Sequence, residues 1–599
     1  MRQIKVSFPQ KAFNGVNVFA PDRASRVLRL EDNMNANWLK TGVVAGAMIM
    51  AASFGAHAQD TMAQETPTHG APVPMASWAG STADHSKFEI LQKPFESGPA
   101  VTQACISCHT EADDQAMHSI HFQWSFENEV TGQTLGKSTV INAFCGNVVG
   151  NEARCTSCHA GYGWEDVTQP APQQSSAVDC LACHDQSGQY TKLATGAGHP
   201  PLGPVPGEPV KGQTITGEAA WAVDLMKSAQ SVGMPDRDNC GQCHFYGGGG
   251  DNVKHGDLSS ALYDPDVHTD VHMSKDGANM VCSDCHVESD HAWAGSRYLL
   301  DAKDEVGTGK PGERRDAASC ESCHGVEPHP INIKGLKLND HVDKVACQTC
   351  HIPEFAKGGV ATKTLWDWST AGRLNGEGNP IAEHNFTQSD GAELHTYLST
   401  KGDFEWGENV VPYYAWFNGA IEYTLPETQI DPTQVVEINK VLGTPDGDDS
   451  RIWPFKQMIG RQAYDAGFNK LAYSHVWGPT TDTAFWTNFD WGKAIEAGMT
   501  AAGSEYSGEY GFIDTHMYWP ITHMVAPADE ALDCAQCHSA QGRLAGMTGI
   551  VMPGTDAGSW VGKLGRLLVL LTLLGVLGHG ALRVISRAKS TSKHEGDAQ

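Results

Sequence analysis

The stretch "CGQCHFYGGGGDNVKHGDL", Cys240 to Leu258, joins a Cys-x-x-Cys-His pentad to four glycines and a Lys-His pair. The pentad recurs along the chain. "CISCH" begins at Cys105, "CTSCH" at Cys155, "CLACH" at Cys180, "CSDCH" at Cys282, "CESCH" at Cys320, "CQTCH" at Cys347 and "CAQCH" at Cys534. The eight copies take all of the 17 cysteines except Cys145. Chance at this composition would give on the order of 0.02 copies, so the repeat is a built feature.

Two thiols three residues apart can add to the two vinyl groups of one haem, and the histidine that follows lies under the iron as an axial ligand. Zinc would need two such pairs per ion and no fixed following histidine, and disulfides leave the histidine unexplained. The reading is eight covalent c-type haems. Their attachment sites are Cys105 and Cys108, Cys155 and Cys158, Cys180 and Cys183, and Cys240 and Cys243 in the first half of the series. Cys282 and Cys285, Cys320 and Cys323, Cys347 and Cys350, and Cys534 and Cys537 complete it. The motif ligands are His109, His159, His184, His244, His286, His324, His351 and His538.

Eight large apolar cofactors would supply much of the core. That suits a chain with only 40% hydrophobic residues and 64 glycines among 599. The expected fold is mainly α with much irregular chain and little sheet, a multihaem cytochrome c fold wrapped around its haems. A net charge of -28 excludes nucleic acid as a partner. A small anion would need a locally positive site to come in.

The two ends read as targeting and anchoring segments. "TGVVAGAMIMAASFGAHAQD" is an apolar run ending in Ala56-His57-Ala58, a secretory signal cleaved before Gln59. The signal region is 1–58, and Met34 opens one of conventional length. Residues 59–100, with "QETPTHGAPVP", read as a flexible lead-in. The haem-bearing body is 101–545, then a linker at 546–563 and a membrane-spanning helix at 564–586. Arg583, Arg587, Lys589 and Lys593 outnumber Lys563 and Arg566, so 587–599 is a cytoplasmic tail and the haems are periplasmic. A surface-lying amphipathic helix is the competing reading of that segment.

Seven motifs crowd into 105–351, and the eighth waits until 534. The gap is rich in tryptophan and tyrosine and is expected to be helical and irregular, covering haems and supplying distal ligands. Within it "VVPYYAWFNGAIEYTL" reads as a strand pair or a packed loop, and the acidic turn "PDGDDS" at 445–450 is weakly suited to calcium. An electron-transfer haem takes a second imidazole on its far face. His121, His272, His291 and His523, with aromatic or apolar neighbours, are the first choices, followed by His255, His341 and His475. His118, His199, His268, His329, His384, His395 and His516 fill out the pool.

Two residues stand apart. Cys145 lies ten residues before Cys155 and has no cysteine left to pair with. It is either an inert buried thiol or a reactive one beside a haem. Lys254, after the glycines, is either a surface charge or a ligand, and only a free amine can bind a metal. The residues alone leave both questions open.

The eight pentads, the odd cysteine before the second and "FYGGGGDNVKHGD" after the fourth together resemble the octahaem tetrathionate reductases. These are periplasmic cytochromes related in haem arrangement to hydroxylamine oxidoreductases and pentahaem nitrite reductases. The resemblance covers roughly 101–545. It implies that the active haem is the one attached through Cys155 and Cys158 with His159, that Lys254 ligates its iron and that Cys145 lies beside it. It implies reduction of a small inorganic sulfur or nitrogen compound (tetrathionate, nitrite or hydroxylamine). The electrons would come from a membrane or periplasmic donor, for which a quinol-oxidising cytochrome is a candidate. The competing readings are a conduit with all eight haems fully ligated, and a hydroxylamine-type oxidase.

Overall fold

The computed structural model describes residues 82–308, 315, 317–550 and 560–596. The signal segment, most of the lead-in, and residues 551–559 and 597–599 lie outside the described residues. What is described falls in one unit, Gly70–Gln599.

Helix is confined to short pieces, each with a local cause. Gly98–Ile106 (α1) starts where Ser97 accepts the Ala100 N–H, and Arg237–His244 (α2) starts at a capping box of Asp236 and Asn239. Ile333–Val342 (α3) is capped by Asn332, and Trp491–Ala501 (α4) by Asp490. The pentads sit on or beside such pieces. The long exception is Trp560–Gly596 (α5), whose Trp560–Arg587 stretch is apolar enough to cross a membrane by length and composition. It begins inside the expected linker.

The region between the last two motifs corrects the mainly-α expectation. It builds a nine-stranded sheet from Thr362–Asp367 (β1), Ala382–Glu383 (β2), Tyr397–Leu398 (β3), Gly402–Gly407 (β4), Tyr413–Phe417 (β5), Val436–Glu437 (β6), Arg451–Asp465 (β7), Lys470–Leu471 (β8) and Tyr510–Pro520 (β9). The order is β6-β9-β7-β1-β4-β3-β2, with β5 and β8 also paired to β7. β7 runs antiparallel to β9 over Phe455–Asp465 and parallel to β1. The "YYAWF…IEY" run does form two strands, but Tyr413–Phe417 pairs with β7 and Ile421–Tyr423 with Asn439–Val441, not with each other.

β7 is covered on both faces for most of its length, so apolar residues do not alternate along "RIWPFKQMIGRQAYD". The aromatics of the region fill this sheet's core. Trp366 stacks on Trp368 with ring centres 5.0 Å apart, and Phe485 on Trp491 at 4.0 Å. The sheet is tied to the haem-motif half by a buried ion pair between Arg451 and Glu321, next to Cys320. The "PDGDDS" turn offers its carbonyls to lysines: Lys344 donates to Gly447 and Lys303 to Asp448. A calcium ion there would have to displace two ammonium groups.

Candidate functional site

Seven of the motif histidines face a second imidazole. The pairs are His85–His109 at 6.2 Å between ring centres, His121–His244 at 6.1, His184–His291 at 6.4 and His286–His523 at 6.2. His272–His324 at 6.1 Å, His329–His351 at 6.3 and His341–His538 at 6.0 complete the set. Two imidazoles on opposite sides of one metal, each bonded at about 2 Å, bring their ring centres roughly 6 Å apart. The seven pairs therefore fit a haem iron between them.

The second-layer hydrogen bonds agree. His184 and His286 turn Nδ1 to the carbonyls of Gly233 and Ala294, and His341 to that of Lys337. His329, His291 and His523 use Nδ1 on Asn339, Gln115 and Asp257. In each case Nε2 is left for a metal, and the far nitrogen fixes the tautomer.

His159 is reversed. Its Nε2 lies 2.7 Å from the Phe122 carbonyl oxygen, and its buried Nδ1 has no partner. Phe122, Trp124 and Trp164 wall the ring at 4.7, 5.4 and 5.0 Å. Burial pushes its pKa down to about 4, so it is neutral at pH 7 and donates from Nε2. Its carbonyl is held by the buried Lys192, which is also ion-paired to Asp179 at 2.9 Å. His159 thereby differs from the other seven motif histidines, whose rings face a second imidazole.

Lys254 is delivered by the glycine loop and clamped from the sheet. Gly248 and Gly249 have φ of 87° and 88°, values that side chains resist, and a Cβ at Gly248 would crowd Val253 and Phe144 at 3.1 and 3.2 Å. The chain leaves this turn through Asn252, whose carbonyl takes the Thr362 hydroxyl at 2.6 Å. Lys456, fully buried on β7, donates to the carbonyls of Val253 and Lys254 and to Thr362. The Lys254 ammonium nitrogen sits 5.0 Å from the Trp519 ring centre. Burial, with Lys137 and Arg297 nearby, holds its pKa well below the usual lysine value, which favours the free amine.

Cys145 belongs to the same neighbourhood. Asn142 accepts the N–H groups of Phe144 and Cys145, and the Cys145 thiol donates to the Gly248 carbonyl at 3.3 Å. The glycine loop thus touches Cys145 on one side and carries Lys254 onward on the other. His255 is not set against a motif imidazole; its ring lies edge-on to Trp519 at 5.1 Å. His475 spends Nδ1 on the Gly150 carbonyl and Nε2 on Thr481.

The sequence profile of the family described as "Cytochrome c bacterial" matches residues 363–541. The crystal structure of octahaem cytochrome c from Shewanella oneidensis is 38% identical, with a TM-score of 0.65, and the match covers 78% of this chain and 97% of that one. The chain belongs to the multihaem c-type cytochromes. An uncharacterised protein of Archaeoglobus fulgidus is 27% identical over 231 residues, 32% of this chain and 74% of its own.

In this cytochrome the motifs follow one another in space. Cys105 neighbours Cys180, Cys158 neighbours Cys243, Cys240 neighbours Cys282, and Cys320 neighbours Cys347. Cys183 acts on Cys240, Cys285 on Cys320, and Cys537 on Cys350. The succession runs through the first, third, fourth, fifth, sixth, seventh and eighth motifs. The second, that of His159, branches from the fourth.

Sequence reasoning missed His85 and ranked His329 too low. His85 sits in the lead-in read as flexible, yet 85–87 form a helical turn capped by Asp84, and Leu91 just after it is buried with Val101, Leu181 and Tyr190. The signal was the apolar "FEIL" following "DHSK". His329 lies between prolines in "EPHPIN", a context that hides its reach. Changing His85 to Ala is expected to convert one low-spin haem to a high-spin, cyanide-binding one. An unchanged spectrum would show that another group serves His109.

Proposed function

We propose that the chain is a periplasmic, membrane-anchored octahaem reductase: the seven imidazole pairs would hold electron-carrying haems, and Cys155, Cys158 and Lys254 would hold an eighth at which substrate is reduced. The observation that carries this reading is the break in the pairing: seven motif histidines face an imidazole, while His159 is turned onto the Phe122 carbonyl. A haem of this kind supplies electrons and a Lewis-acidic position for a sulfur or nitrogen ligand.

The chain's own residues do the rest. Lys254 offers an uncharged amine because its surroundings penalise the ammonium. Lys456 fixes the backbone from which it projects. Lys137 and Arg297, both buried near Lys254, set a positive field in a chain of net charge -28. That favours anionic tetrathionate and nitrite over a neutral substrate. Cys145 adds a thiol for exchange with a sulfur–sulfur bond. For tetrathionate, two electrons cleave the central bond and release two thiosulfates.

The helix after the eighth motif suits an electron donor at the membrane. Leu544, Met547 and Ile550 pack with Trp416 and Cys537, so only about ten residues separate this motif's shell from Trp560. The His341–His538 end of the succession is thereby the end nearest the proposed anchor.

The test is spectroscopic and kinetic together. Cyanide or nitrite should perturb one haem of the purified protein, and tetrathionate, nitrite and hydroxylamine should be assayed side by side. If no haem responds to either ligand, the protein is a conduit. A pH series adds a second check. Burial and Arg297 push the Lys137 pKa down to about 8, so its charge is present below that pH and fades above it. KM for an anionic substrate is expected to rise roughly tenfold between pH 7 and 9 as that attraction is lost. A flat KM would remove Lys137 from substrate binding.

A further inference from the structure

The stretch "INIKGLKL", residues 331–338, holds four aliphatic side chains, two lysines and no carboxylate, in a chain of net charge -28. It lies between His329, which faces His351, and His341, which faces His538, and it opens α3. Its aliphatic side chains are left uncovered. Ile331 is 94% exposed, Ile333 87% and Leu336 53%, and α3 buries only Gly335 and Val342. Leu336 stands about 140° round the helix from His341, away from the side that this imidazole turns to its metal. Among the described residues Lys334 makes no ion pair. The acids that follow, Asp340 and Asp343, are paired with Lys337 at 3.3 Å and Lys303 at 2.7 Å.

The far end of α3 is joined to the root of the proposed anchor. Val345, three residues past Val342, packs in one cluster with Trp416, Leu544 and Ile550. From Ile550 the chain has about ten residues to Trp560, a reach of at most ~35 Å, and α3 is itself about 15 Å long. The exposed turn therefore lies within reach of the surface that α5 enters. At such exposure Ile331 and Ile333 stand out from the protein and line no groove, which suits fluid lipid better than a shaped protein site. Aliphatic side chains enter between acyl tails, and lysines beside them meet headgroup phosphates.

We propose that residues 331–338 form a second membrane contact, which dips into the periplasmic leaflet beside α5 and holds the His341–His538 end against the bilayer. The inference rests on the membrane-anchored reading, because the tether supplies the local concentration at which so small an apolar face binds. A donor within the membrane then meets the eighth motif ahead of the others.

The test uses the full haem-loaded chain in nanodiscs of phosphatidylcholine and phosphatidylglycerol, with a trace of phospholipid carrying a diazirine on its acyl chain. Irradiation, digestion and mass spectrometry locate the lipid adducts. They are expected on peptides from 331–338 and from α5, and at least about tenfold fewer on the peptide holding Val205, an exposed apolar residue elsewhere. In I331S/I333S/L336S the adducts at 331–338 should fall about tenfold while those on α5 remain. Adducts on α5 with none at 331–338 overturn the second contact, keep the anchor and leave the face to a protein partner. Equal labelling of the Val205 peptide, or adducts unchanged in the triple variant, overturns the contact as well. Adducts at 331–338 without any on α5 would keep the contact and reject the anchor, and labelling of neither would sink both. The wild-type comparison with Val205 decides even where the variant fails to fold.

Discussion

Replacing Lys254 by leucine is expected to cut turnover at least about a hundredfold and to change the spectrum of one haem, while the protein stays folded. The asymmetry follows from the surroundings. Lys254 lies deep in the fold beside Lys137 and Arg297, with no carboxylate among the groups acting on it. Removing an uncharged amine that has no carboxylate partner leaves no broken ion pair behind, so stability is spared. His159 cannot replace it without giving up the Phe122 carbonyl and its aromatic enclosure. Turnover and spectra equal to the wild type in K254L would show that the lysine is incidental and that the second motif is served otherwise.

The largest stability effect is expected at Asp179. Its buried carboxylate accepts from Tyr162 at 2.7 Å, Tyr190 at 2.8 Å and the Ala182 N–H at 3.2 Å, and pairs with Lys192 at 2.9 Å. Asp179→Ala strands a buried ammonium and two phenols, a loss of about 3–5 kcal/mol. Lys192 also holds the His159 carbonyl, so the second motif should loosen with it. Thermal unfolding followed by visible and far-ultraviolet signals would register the loss, and a Tm within a degree of wild type would contradict it. The pH dependence has a definite sign. Burial lowers the Lys192 pKa, but the Asp179 carboxylate more than offsets this and leaves it raised. The stabilisation is thus full below the ordinary lysine pKa and lost as pH climbs through the raised value.

Covalent c-type haem could be read directly, because its attachment depends on thiols and an imidazole within five consecutive residues. The special standing of Lys254 and Cys145 was half legible: the glycines and the odd cysteine marked them, but only the resemblance joined them to one haem. The sheet was not legible. β7 is buried on both faces, so the alternation that betrays a strand is absent, and the sheet's tryptophans read as haem cover instead of sheet core.

The sequence by itself determined the covalent c-type haem chemistry and marked sixteen thiols and eight motif imidazoles for it, since each pentad is a local unit that reads the same wherever the chain puts it. Only the tertiary structure decided which imidazole meets which. His286 finds His523 and His121 finds His244 across long stretches of chain, and His85 arrives from a segment with no motif at all. It also decided that, among the described residues, His159 has no such partner, because the Phe122 carbonyl and two tryptophans occupy the space around its ring. Contacts of that range are set by packing, which no short stretch of residues encodes.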